Sequence, residues 1–119
     1  MKNKKHLLFI CAGGLDRSPC AESLFENHPK FESKSCGIHP LFASAVPTRH
    51  NLRWADYIFC MEHEHKADIL ERFPEIVREK PEIIVLNISN KFVRHDPELK
   101  RLLKVKLEDW LESENTKTL

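Results

Sequence analysis

Apolar residues in this chain fall into two spacings, short continuous runs and helical stripes, and the two alternate. Runs lie at His6–Cys11, Phe31–Cys36, Tyr57–Met61 and Ile83–Ile88. Their length and their flanking turn residues predict strands. Between them, Ala21, Leu24 and Phe25 share one face of a predicted helix over Pro19–His28, and Ile69, Leu70 and Phe73 share one over His65–Phe73. A last helix is expected over Pro97–Leu111, where Leu99, Leu103, Leu107 and Leu111 recur every fourth residue with Trp110 beside the last. Such a stripe is buried while the charged remainder stays solvated. Alternating strand and helix patterns yield βαβ units, so the expected fold class is α/β: a three-layer α/β/α sandwich around a four-stranded parallel sheet. Residues from Ser113 read as a loose tail. The longest irregular connection, Gly37–Thr48, carries His39, Pro40, Leu41 and Phe42 and should reach over the carboxyl ends of the strands, where open α/β sheets bind ligands.

Chemistry concentrates directly after the first run, in Cys11-Ala12-Gly13-Gly14-Leu15-Asp16-Arg17-Ser18. Two glycines let successive backbone N–H groups turn inward around a tetrahedral anion, and Arg17 can grip two phosphate oxygens with its planar fork. The Cys11 sulfur would then lie beneath the phosphorus. A helix starting near Ser18 would point its positive end at the same place, and Pro19 suits its first turn. The segment therefore reads as a phosphate-binding catalytic loop after the first strand, with Ala12 to Ser18 binding phosphate and Cys11 as nucleophile. Against this stands a Gly-rich turn with a buried cysteine and a surface arginine, which the surrounding strand, glycines and Ser-Pro make the weaker reading.

Composition narrows the partners. The 119 residues suit one domain, 1–119, and 41% hydrophobic residues are enough for a core beneath a small sheet. Lysine and arginine total 19 against 18 acidic residues, so the net charge of +1 offers no general attraction for nucleic acid or a membrane surface. The apolar run after Lys2–Lys5 is too short for a signal peptide or a spanning helix, which implies a cytoplasmic protein without an integral membrane segment. Cys11, Cys20, Cys36 and Cys60 show no metal-ligand spacing, so neither metal nor cofactor is expected. Cys36 and Cys60 fit core positions. Cys20 lies close in sequence to Cys11 and would form a protective disulfide if it faced the loop.

On Cys11, Gly13, Arg17, Ser18 and Pro19, the chain resembles the low-molecular-weight protein tyrosine phosphatase family. The resemblance continues through Ala21-Glu22, Ser35-Cys36-Gly37, Ala55–Met61 and the Asp96-Pro97-Glu98-Leu99 segment, covering nearly the whole chain. It implies a phosphomonoester hydrolase. Cys11 would attack phosphorus in line and form a cysteinyl-phosphate that water then hydrolyses, with Arg17 and the loop amides on the equatorial oxygens. Ser18 would donate to the sulfur, or cap the helix, or do both. No metal or cofactor is implied, and phosphotyrosine is the implied substrate.

Departures from the family pattern leave the general acid open. The family uses an aspartate of an Asp-Pro pair, usually followed by an aromatic residue; here the Asp-Pro is Asp96-Pro97, and Glu98 follows. Asp96 also suits the N-cap of the last helix. Ser89-Asn90-Lys91 stands where short members often carry acids, and Asn90 cannot protonate a leaving group. Gly14 replaces the family's asparagine, and Asp16 replaces a cysteine able to pair with the nucleophile. The Asp16-Arg17 pair resembles the loop of Sac-type phosphoinositide phosphatases and, more loosely, myotubularins. Asp16 is thus a second candidate acid or water-positioning group, or it points back and braces the loop. Lys91, Arg94, His95, His39 and Arg49 would lend the rim positive charge for a polyphosphorylated substrate, or are solvated surface groups. Two alternatives to a phosphoprotein substrate follow: a small phosphomonoester such as an inositol phosphate or phosphoinositide, and a non-catalytic phosphate-binding module. An arsenate reductase would need extra cysteines in a redox segment after the third strand, where this chain has none.

Overall fold

A computed structural model describes residues 4–13, 17–39, 46–79, 83–93 and 96–117. Four strands, β1 (Lys5–Cys11), β2 (Phe31–Gly37), β3 (Tyr57–Cys60) and β4 (Ile83–Val85), pair in the order β2-β1-β3-β4, all parallel. Among the described residues, five helices accompany them: α1 (Arg17–Ser23), α2 (Arg49–Trp54), α3 (His63–Arg72), α4 (Pro74–Glu79) and α5 (Pro97–Lys117). The three-layer α/β/α arrangement expected from the alternating patterns is the one observed.

Period-two alternation within β1 builds both faces of the core. Leu7, Phe9 and Cys11 pack with Phe59 and Met61 against α1 and the α5 stripe of Leu99, Leu103 and Leu107. Leu8 and Ile10 join Ile58, Cys60 and Ile69 on the other face, under α2, α3 and α4. Burial on both faces explains why β1 reads as a continuous apolar run, whereas the edge strand β2, with Glu32, Ser33, Lys34 and Ser35 in its middle, is mostly only part-buried. Phe59 is fully buried, 5.1 Å from the Phe9 ring and 4.9 Å from Trp110. Phe59→Ala should therefore cost about 3–5 kcal/mol, read as a lowered midpoint in urea unfolding. A cost below about 1 kcal/mol would show that this cluster does not hold the sheet to α5.

Element boundaries differ from the sequence expectations where local polar chemistry intervenes. The first helix stops at Ser23 instead of His28: the Ser23 hydroxyl donates to the Cys20 carbonyl at 2.6 Å, three-residue turns follow, and Asn27 adopts a left-handed φ of 59°. The expected His65–Phe73 helix begins at His63, and Pro74 opens a separate α4 after it. Helix α2 buries only Leu52, too little for an apolar stripe; its legible signal was Thr48, whose hydroxyl accepts from the Asn51 N–H at 3.0 Å. The expected loose tail is helical to Lys117. Among the described residues, no helix is long and apolar enough to cross a membrane.

Candidate active site

Strand order reverses beside β1, whose crossover leads to β2 on one side while β3 lies on the other, so the residues after β1 emerge at a topological switch point. The base of the loop is held by its neighbours. Ile38 and His39 donate backbone N–H groups to the Cys11 and Ala12 carbonyls at 3.0 and 2.9 Å, and Met61 donates to Ile10 at 2.9 Å. Ala12 and Gly13 are half-buried above this base. Gly14, Leu15 and Asp16 lie outside the described residues, as do Pro40, Leu41, Phe42, Arg94 and His95.

Cys11 and Ser18, seven residues apart, meet at Sγ–Oγ 3.0 Å. Ser18 is fully buried, and its hydroxyl also reaches the Cys36 carbonyl at 3.2 Å. A single hydroxyl proton serves both contacts in turn. With Cys11 a thiol, its S–H donates to Ser18 and Ser18 to Cys36; with Cys11 a thiolate, the hydroxyl rotates to donate to sulfur. All four cysteines are buried, and none is in a disulfide. Burial, then the neighbouring Cys11 and Cys60, pushes the Cys36 pKa up to about 12; burial, partly offset by Lys66, does the same to Cys60. Both are thereby kept protonated and unreactive, as core positions require. Cys20 sits in the same apolar cluster as Cys11.

Arg17 begins α1 and is only 4% exposed. Its Nη1 forms an ion pair with Glu62 and donates to the Ile88 carbonyl at 2.7 Å. Neither partner is legible in the sequence, since they lie 45 and 71 residues away. Glu62 precedes α3, and its backbone N–H donates to His65 Nδ1 at 3.0 Å. His65 is fully buried; burial first, and the Arg17 charge second, lower its pKa from the usual histidine value. It is therefore neutral, with its proton on Nε2. Glu62, Glu64 and His65 offer ligand atoms within 4.8 Å of one another. Of these three, Glu62 is already committed to the Arg17 ion pair, with which a cation would have to compete.

The Ile88 carbonyl owes its aim to the exit from β4. Leu86 N–H donates to Cys60 at 2.9 Å and Ile88 N–H to Met61 at 2.8 Å, with Asn87 between them at a left-handed φ of 57°. Asparagine tolerates that conformation better than most residues. Beside Arg17 opens a cavity of about 480 Å³ lined by Glu62, His63, Glu64, Asn87, Ile88 and Ser89.

Asp96 is half-buried and caps α5, its Oδ1 accepting from the Glu98 N–H at 2.9 Å. His39 is exposed close to His65. Lys91 is exposed, its ammonium over the Phe92 ring. Arg49 is exposed; it pairs with Glu75 at 2.7 Å and covers the Phe73 ring, joining α2 to α4.

No protein-family model matches the chain. It is 30% identical over 92 residues to a protein-arginine-phosphatase of Geobacillus stearothermophilus, a match spanning 58% of this chain and 62% of that protein. Over 111 residues it is 25% identical to the low molecular weight phosphotyrosine protein phosphatase of Rattus norvegicus, covering 69% and 70% of the two chains. The solved structure of the YwlE arginine phosphatase from Geobacillus stearothermophilus superposes with a TM-score of 0.67 at 24% identity, over 95% of this chain and 96% of that one.

Proposed function

We propose that this chain, which belongs with the low-molecular-weight protein tyrosine phosphatases by its relatives and its fold, is a cysteine-dependent phosphatase acting through a cysteinyl-phosphate. The observation that carries the reading is the pairing of Cys11 Sγ with Ser18 Oγ at 3.0 Å where a buried Arg17 opens α1. The Cys11 thiolate forms a bond to phosphorus as the bond to the leaving group breaks, and that group takes a proton from an acid, for which Asp96 and Asp16 are the candidates. Ser18 donates to the sulfur when the thiolate is present and again when it departs from phosphorus. Water then displaces sulfur and inorganic phosphate leaves. Arg17 and the amides of Ala12 to Ser18 bind the equatorial oxygens, where the transition state spreads its charge.

Phosphorylated protein side chains are the proposed substrates, phosphotyrosine first. Phosphoarginine is a second reading, favoured by the similarity to a protein-arginine-phosphatase. The inositol phosphate and binding-module readings find no support among these relatives. A reducing cytoplasm suits a thiol nucleophile and is the proposed location. Purified protein should hydrolyse para-nitrophenyl phosphate and at least one of two peptides bearing phosphotyrosine or phosphoarginine, with inositol phosphates inert. Release of phosphate from none of the first three would overturn the proposal. Turnover of inositol phosphates alone would overturn the substrate class.

A further inference from the structure

The geometry points to Glu62 as a positioning residue: with the Ile88 carbonyl, it holds the Nη1 corner of Arg17 so that the Nε–Nη2 edge of the guanidinium meets phosphate. The inference rests on the phosphatase reading above. Arginine carries five N–H donors in a rigid plane, one on Nε and two on each terminal nitrogen. Both Nη1 contacts are supplied by protein, one from Glu62 and one from Ile88. The parallel donors on the opposite edge, one from Nε and one from Nη2, have the spacing of two phosphate oxygens. Glu62 thus selects which edge faces the loop, and it also provides the counter-charge that a guanidinium buried to 4% exposure requires.

The holder is itself held. His65 accepts the Glu62 backbone N–H from inside α3, and its ring is fully buried in the core. On the other side, the left-handed Asn87 turn sets the Ile88 carbonyl against the end of β3. Arg17 is therefore gripped between the ends of β3 and β4, while the nucleophile it serves comes from β1. A lysine could not be oriented in this way, because an ammonium has no edge to select.

The test uses para-nitrophenyl phosphate turnover, competitive inhibition by inorganic phosphate and thermal unfolding on the full chain. Glu62→Gln keeps the size and an acceptor oxygen but leaves the buried Arg17 charge uncompensated, so the variant should fold and unfold at a lowered temperature. Its kcat should fall about 10²-fold with KM and phosphate inhibition changed less than about threefold, as for a displacement near 1 Å in the transition state. Glu62→Asp keeps the charge but withdraws it by one methylene, and should lose about tenfold in kcat. In an Arg17→Lys background, Glu62→Gln should cost less than about threefold, since nothing remains to be aimed. Wild-type kcat in both single variants overturns the inference, as does a full loss that persists beside Arg17→Lys. A lowered unfolding temperature with unchanged kcat shows a merely structural ion pair and overturns it too. Wild-type protein that releases no phosphate overturns the phosphatase reading instead, and this inference with it.

Discussion

Cys11→Ser should abolish turnover of para-nitrophenyl phosphate while inorganic phosphate still binds. The residue lies 2% exposed at the end of β1, with the Ser18 hydroxyl 3.0 Å from its sulfur. A serine at neutral pH presents a hydroxyl in place of a thiolate, a far weaker nucleophile, and its oxygen is a poor leaving group for the second step. Nothing else in the anion site changes, since Arg17 keeps Glu62 and Ile88 as partners and the loop base keeps its backbone bonds. Steady-state kinetics and calorimetric titration with phosphate check the two halves separately. If the variant retains even a tenth of the wild-type rate, a barrier change of only about 1.4 kcal/mol, Cys11 is not the nucleophile. Cys36 and Cys60 are not substitutes, because burial holds both as thiols with pKa values pushed up to about 12.

If Asp96 protonates the leaving group, Asp96→Asn should slow hydrolysis of phosphotyrosine peptide by roughly 10²–10⁴, the worth of a positioned proton donor. Stability should hardly move. The Asp96 carboxyl accepts the Glu98 N–H at 2.9 Å, and an asparagine oxygen can accept the same bond and cap α5 equally well. Loss of rate without loss of stability therefore separates an acid from a cap, which would leave both unchanged. Asp16→Asn supplies the other arm. If Asp16 carries the proton, its variant shows the larger loss, and most on substrates whose leaving groups are more basic than a phenol. Near-wild-type rates in both variants would remove both acids from the mechanism.

The order of strands and helices could be read from the chain because it depends on local periodicity. Leu7 to Ile10 must be buried on both faces wherever β1 sits, and Leu99, Leu103 and Leu107 define one side of a helix whatever covers it. The short helices were less legible for a matching reason. α2 and α4 each bury a single residue, Leu52 and Ile76, and one buried position has no period. The end of α1 falls short of the apolar pattern because a serine back-bond and a left-handed Asn27 compete with helix continuation over one turn.

By itself the sequence determined the α/β class, the placement of Cys11 at the end of the first strand and the joining of that cysteine to Arg17 and Ser18 through eight residues. Those relations span less than one loop, and backbone stereochemistry with residue chemistry suffices to express them. Only the tertiary structure decided what grips Arg17. Glu62 and Ile88 reach it from the ends of β3 and β4, and His65 braces Glu62 from within α3. Such contacts follow from strand order and register, which bring residues 45 and 71 positions away against one guanidinium. A glutamate after Met61 and a histidine three residues later carry no local sign of that role; parallel packing beside β1 is what makes them an anchor for a buried charge.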